Sequence, residues 1–373
     1  MKKSFVHRAW SLRTFFDSNA LWLGMLIGAL GYKLFLPLKP TLPWLIFFML
    51  FFTFCKVNPL DLRLHKWHWA VLFAQLFLSF ATYFGVLYFT GNPILAQGLL
   101  MCFIMPTATA APIIAGKLGG SIQNLTTFTL LSNIATAIIV PATFPLLTSP
   151  SLVWVKGFAQ SSVQWTVVEQ IGVGLSTFFP AFILILSRVA PLLLGPFFAA
   201  WLLRIGFNYY YRKKDQRSNS QSSNREFQLP VKLAVIPFYL WVASLVVLSA
   251  VVTETVLSSI DFYLSTILTL LICSFFACLI QFSLGKLIGY HLPAPSKGRD
   301  YQDVLINPAA APKTMAGVSS ITAGQAFGQK NTSLGVWMAN TFLDPMASLG
   351  AAAYIIWQNI FNSLQLFIAA GRK

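Results

Sequence analysis

Ten apolar segments, most of them close to 20 residues long, follow one another along this chain and constrain its fold more than any other feature. They run over about 18–37, 42–56, 67–90, 94–118, 123–148, 180–207, 231–253, 260–289, 313–341 and 343–369. A helix needs about 20 residues to cross the hydrocarbon of a bilayer. Lipid offers a backbone no partners, so only helices and closed barrels cross it. Charged residues make up 10% of the chain and mean hydropathy is +0.68, where a soluble domain carries about 25% charged residues. The segments therefore predict an all-α integral membrane protein with about ten transmembrane helices. Cys55, Cys102, Cys273 and Cys278 lie in or beside apolar stretches with no CxxC pair, as small buried hydrophobes do.

The net charge of +16 raises the question of a nucleic-acid partner, and its distribution answers it. With residues 1–17 as a cytoplasmic tail, the inner loops are 56–66, 118–122, 208–230 and 290–312, plus the C-terminus. These loops, their flanks and the tail hold 21 of the 26 lysines and arginines. The outer loops hold Lys33, Lys39 and Lys156, and Arg188 and Lys330 fall inside apolar segments. This is the positive-inside pattern, reinforced by attraction to anionic inner-leaflet lipid. It predicts a multi-pass protein of the inner (plasma) membrane, both termini cytoplasmic, whose partners are the bilayer and a small solute, with no nucleic acid.

The segments divide into two sets of five. A first unit spans 18–148, an outer connection 149–179 and a second unit 180–373, which includes a basic cytoplasmic linker at 208–230. Part of the connection, 161–179, mixes polar and apolar residues as a surface-lying segment does. An odd number of passes inverts the second unit against the first, the inverted-repeat plan of many secondary transporters.

One segment in each unit is broken. "MPTATAAPIIAGKLGGS" (105–121) sets Pro106, Thr107, Thr109 and Pro112 where a helix should continue. Proline removes a backbone donor and clashes with the preceding turn. The freed backbone groups persist in a membrane only where they line a cavity or pack against protein. The fourth segment of the second unit, "MAGVSSITAGQAFGQKNTSLGVWMAN" (315–340), contains Gln325, Gly328, Gln329, Lys330 and Asn331 and predicts a break near 324–331. Interrupted segments at matching positions of two halves point to a midplane binding site. A kink used only for packing is the alternative for the first break, and a stem snorkelling to an interface is the alternative for Lys330.

"MPTATAAPIIAGKLGG" with "NLTTFTLLSNIATAIIVPATFPLL", and "GQKNTSLGVWMANTFLDPMASLGAAAYIIWQNIFNSLQLFIAA" near the C-terminus, resemble the bile acid:sodium symporter family. The two inverted five-helix repeats are similar over nearly the whole chain. The resemblance implies a panel domain from passes 1, 2, 6 and 7, and a core domain from 3–5 and 8–10 in which discontinuous helices 4 and 9 cross. It implies secondary transport of an organic anion, such as a bile acid, pantoate or another carboxylate, often with sodium. Sodium-using members carry Ser-Asn where this chain has Ala111 and Pro112. They carry a glutamate where it has Ala326, and a glutamine where it has Lys330. Their glutamine in the third pass is matched by Gln75, and their Trp-His-Asn in the last resembles Trp357, Gln358 and Asn359.

The breaks and the resemblance together point to substrate on Thr107, Thr109, Asn331, Gln358 and Asn359, with polar glue between membrane helices as the alternative for each. The ion-coupling region comprises Gln75, Thr129, Ser132, Asn133, Gln325, Gln329 and Lys330, with Pro106, Pro112 and Gly328 shaping the backbone. No cofactor is implied, and the coupling ion is left open between sodium and a proton. All ten carboxylates fall in loops or near segment ends, so a buried sodium would rely on carbonyls and hydroxyls. An ammonium about 4 Å away would oppose it by a few kcal/mol at an effective dielectric of about 20. Lys330 is accordingly read as a tethered cation standing where sodium would, either complementing an anionic substrate or carrying the coupled proton. Transport without sodium, by proton coupling, exchange or efflux, is the alternative to sodium symport. A channel is the distant one, lacking the repeated charged rings such a pore uses. The chain has no HExxH, no GxSxG and no paired intramembrane aspartates, so no enzyme is expected.

Overall fold

The structure, a computed structural model, describes residues 22–55, 62–148, 167–218, 233, 236–294 and 314–370. The tail 1–17, the connection 149–166 and the linker residues 219–230 lie outside the described residues. Among the described residues regular structure is helical. Extended pairing is confined to one antiparallel bridge between Thr107 and Lys330.

The described residues begin with helical 22–30 and Tyr32–Phe35, then a 3-10 turn at Leu36–Thr41 containing Pro37 and Pro40. There follow α1 (Leu42–Phe54), α2 (Lys66–Thr90), α3 (Pro93–Ile104), α4 (Ala111–Lys117), α5 (Ile122–Thr148), α6 (Val167–Ser218) and α7 (Ile236–His291). The last elements are α8 (Met315–Gly328), α9 (Thr332–Phe342), a 3-10 turn (Pro345–Ala347) and α10 (Ser348–Ala370). By length and composition, six stretches among the described residues are long and apolar enough to cross a membrane: Tyr32–Phe54, Lys66–Thr90, Ile122–Leu147, Phe178–Tyr210, Ile236–Asp261 and Tyr263–His291.

Three expected boundaries moved. The break expected at 254–259 lies a few residues further on: 236–291 is two helices meeting at a kink at Tyr263 (φ −126°, ψ 19°), with Ile236–Asp261 and Tyr263–His291 as separate apolar stretches. The α6 helix continues through 208–218, which was expected to be linker, and includes 167–179, which was expected to lie along the surface. The polar runs 254–262 and 207–218 contain neither proline nor glycine, and polarity alone does not end a helix; 167–179 is helical even though it holds Gly172 and Gly174.

The true ends carry capping chemistry. Between α2 and α3 the chain turns on Gly91 in the left-handed region (φ +63°), whose amide closes on Leu87 O, a glycine-ended helix. Asn92 then accepts the Leu95 amide at 3.1 Å, with Pro93 in the first turn, a strong helix start.

The core is centred on α3. Every residue from Leu95 to Ile104 is buried, as expected of a helix that is apolar all round. Its neighbours in this cluster include Leu42, Ile46 and Leu50 of α1, Phe144 of α5, Val189 and Leu193 of α6, Phe282 of α7, Leu334 and Met338 of α9 and Tyr354 of α10. The end of α3 in this core is the first sequence break; the end of α8, the second, packs its Ala323, Ala326 and Phe327 in a neighbouring cluster with Trp67, Leu125 and Phe128.

Candidate functional site where two broken helices meet

Pro106 ends α3. The residue before a proline is pushed out of the helical region, and Met105 is extended (φ −52°, ψ 136°). The chain stays non-helical to Ala110 and restarts as α4, with Pro112 in the first turn, where its missing N–H is no loss. The second break is shorter. After Gly328, Gln329 is extended (φ −98°, ψ 105°), and Asn331 starts α9 by accepting the Leu334 amide at 3.2 Å.

The breaks lie against each other as an antiparallel pair with reciprocal bonds. Ala108 N donates to Gln329 O at 2.9 Å, and Asn331 N donates to Pro106 O at 2.8 Å. The two bridge residues are held alike. Thr107 N donates to Ser132 Oγ of α5 at 3.1 Å, and Lys330 N donates to Gln358 Oε1 of α10 at 2.9 Å. Two short strand-like pieces thereby satisfy each other where no water competes.

The carbonyl ends of α3 and α8 are stoppered by side chains. Gln75 Nε2 donates to Ile104 O at 3.2 Å and Met105 O at 3.0 Å. Gln281 Nε2 donates to Cys102 O at 3.1 Å. On the α8 side, Thr107 Oγ1 donates to Ala326 O at 2.6 Å and Tyr354 Oη to Gly328 O at 2.7 Å. Two helices thus point their carbonyl ends into the junction and two point their amide ends, giving fixed partial charges of both signs.

Lys330 lies at the centre. It is 1% exposed and its Nζ has no hydrogen-bond partner. Its Nζ sits 5.0 Å from the Phe327 ring centroid, a distance at which a protonated amine makes a cation–π contact. This excludes the snorkelling alternative, since the head group does not reach an exposed surface. Buried acceptors and donors without partners accompany it: Gln75 Oε1, Gln281 Oε1, Gln329 Oε1, Asn331 Nδ2, Asn359 Nδ2 and both amide atoms of Asn133. A cluster of satisfied backbone and unsatisfied side-chain groups is what a polar guest needs, since unpaired buried groups are costly when nothing meets them.

The junction brings together the expected Pro106, Thr107, Ser132, Gly328, Gln329, Lys330, Asn331 and Gln358, with Gln75 beneath. Asn133 and Asn359 each follow an anchoring residue, Ser132 and Gln358, on its helix, and both are buried. Three expected residues are engaged elsewhere or add no bond. Thr129 Oγ1 donates to Leu125 O of its own helix at 3.0 Å. The Gln325 side chain donates to Gln365 Oε1 at 3.0 Å, although its own Oε1 is unpartnered. Thr109 is buried in the turn before α4, beside the pairing and not in it. Sequence reasoning missed Gln281, Tyr354 and Ser244, whose Oγ lies 3.2 Å from Ser333 Oγ of α9. Gln281 had the same signal as Gln75, a lone amide in an apolar run.

A cavity of about 450 Å³ lies away from the junction, between α7 and the turn after α9. Its lining includes Lys39, Glu254, Ser258, Tyr263, Asn340 and Asp344. Asp344 Oδ1 accepts the Met346 amide at 2.8 Å, which confirms it at a helix end and leaves the junction without that carboxylate. Comparison with protein-family models and with curated proteins finds no match for this chain.

Proposed function

We propose that this protein is a secondary transporter of a small organic anion, working by alternating access with its substrate at the junction of the broken helices. The observation that carries the reading is Lys330, whose amine is fully buried beside paired helix breaks and has no hydrogen-bond partner among the described residues. Once protonated, such a group in a low-dielectric interior needs a counter-charge, and a carboxylate or similar anion supplies it. Asn331 Nδ2 and Asn359 Nδ2 are unpartnered donors for the same guest, and the amide end of α9 favours an anion.

The accompanying architecture is ten membrane passes in two inverted repeats, with α3–α4 and α8–α9 as the discontinuous fourth and ninth. The reciprocal bonding of the two breaks supports this plan, since an inverted pair would repeat each anchor. The resemblance to the bile acid:sodium symporter family agrees with it and suggests a carboxylate substrate. Lys330 acts as a tethered cation in place of sodium, so transport runs without sodium, coupled to a proton or as exchange or efflux.

One observation favours a second reading, sodium symport. Gln75 Oε1, Gln329 Oε1 and Asn133 Oδ1 are buried oxygens without partners and would serve a cation as ligands. Proteoliposome uptake of a carboxylate panel, with sodium or choline outside and at two pH values, separates the two. Saturable, counterflow-competent uptake in choline supports the first reading. Accumulation only with sodium selects the second, and a non-saturable flux without counterflow overturns both.

A further inference from the structure

The α2 helix begins on two histidines that use all four of their ring nitrogens. His65 N donates to His68 Nδ1 at 2.8 Å, and the His65 ring in return accepts the His68 amide, a reciprocal capping box. Glutamine or glutamate normally fills the third helical position of such a box. The remaining nitrogens cross to α5: His68 Nε2 lies 2.9 Å from Asn124 O and His65 Nε2 3.2 Å from Asn124 Oδ1. A carbonyl only accepts, so His68 carries its proton on Nε2. The network assigns His65 the same tautomer. His68 is fully buried, its ring stacked on Phe128 and against Trp67.

This set of bonds exists only while the His68 ring is neutral. A proton added at His68 Nδ1 would face the His65 N–H that now donates to it, and that cap is lost, whereas the His68 amide also reaches His65 O at 3.1 Å and keeps an acceptor. Neighbouring charge does not compensate. On α2 the nearest ionisable group in sequence is Lys66, with Arg63 preceding it. The α5 helix (122–148), α3 and α8 carry no charged residue, α4 carries Lys117, and the nearby end of α7 carries Lys286 and His291.

Asn124 also anchors the turn from α4 into α5. Its amide donates to Ser121 Oγ at 3.2 Å, and Ser121 N donates to Thr322 Oγ1 of α8 at 2.8 Å. That turn passes through Gly119 in the left-handed region (φ +87°). We infer that His65 and His68 form an acid-released latch, which ties α2 to the turn behind the first broken helix at neutral pH and frees it when protonated. The latch does not depend on the transport reading.

Hydrogen–deuterium exchange of the full-length protein in nanodiscs at pH 7.5 and 5.5, corrected for intrinsic rates, tests it. In the wild type, exchange in 62–72 and 119–127 rises about tenfold on acidification, the equivalent of losing one helix cap. His68→Gln keeps an acceptor at the capping position but does not titrate, so it retains protection at both pH values. His68→Leu has no acceptor and exchanges faster at both. A wild type without the acid response, or a His68→Gln protein that keeps it, overturns the latch.

Discussion

Replacing Thr107 by valine removes one hydroxyl from the junction with almost no change in volume. Thr107 Oγ1 donates to Ala326 O at 2.6 Å, and both residues are fully buried. In an unbroken helix that carbonyl would receive the amide four residues on, Lys330 N, but this amide is committed to Gln358 at 2.9 Å. The variant therefore orphans Ala326 O. An orphaned buried acceptor costs about 1–3 kcal/mol. Hydrogen bonds between membrane helices average about 0.6 kcal/mol and reach about 1.7, because the unfolded chain in lipid finds other partners. With no substitute donor at Ala326 O, we expect the upper part of that range, about 1.5 kcal/mol, a tenfold shift in the unfolding equilibrium.

Thr129→Val is the matched control. Thr129 is as buried, but its hydroxyl donates to Leu125 O within its own helix. That carbonyl already faces the helical amide of residue 129. Its loss should cost about 0.5 kcal/mol or less, the low end for a net hydrogen bond. Reversible unfolding of both purified variants in mixed micelles measures the difference. If Thr107→Val and Thr129→Val shift the midpoint equally, the break is not held by this bond and the reasoning fails.

Three further outcomes follow from the packing and the junction. At Gly350 an added Cβ would sit 2.1 Å from Gly98 O, so Gly350→Ala must push α10 off α3 and should destabilise by about 1–3 kcal/mol. Gly85→Ala meets nothing within 4 Å and should be neutral or stabilising by up to about 1 kcal/mol; the same unfolding assay compares them. The Ser244 and Ser333 hydroxyls, 3.2 Å apart on α7 and α9, predict that a Ser244→Cys/Ser333→Cys pair cross-links under mild oxidation, seen as a gel shift reversed by reductant. Gln281→Leu leaves Cys102 O without its side-chain donor and should lower stability by roughly 1 kcal/mol, while Gln281→Glu, which places a carboxylate in the same core as Lys330, should also lower anion binding measured by calorimetry.

Much of the site was legible because it breaks the rules of a membrane segment. Pro106 and Pro112 in an apolar run, and "GQKN" in another, have no place in a lipid-facing helix, so both breaks and Lys330 were visible at once. The reciprocal pairing was not, because a bridge between residues 107 and 330 leaves no local pattern. Tyr354 stands among alanines on an ordinary helical face, and nothing in its neighbours tells that its hydroxyl reaches Gly328 O. The helix ends were misjudged wherever polarity replaced proline or glycine as the stop signal, as at 254–259 and 208–218. His65 and His68 were visible as loop-end residues, but their mutual capping depends on helix geometry that spacing alone does not select from other uses of an i, i+3 pair.

The central claim is that a tethered ammonium does the work of a coupling cation, and transport by Lys330→Ala tests it most directly. Uptake of the best carboxylate from the panel is measured in proteoliposomes for wild type and variant, with sodium or choline, at pH 6 and pH 8. The account predicts a wild type indifferent to sodium, and a variant that has lost transport or changed its pH or sodium dependence. A Lys330→Ala protein that transports at the wild-type rate with unchanged pH and sodium dependence contradicts it.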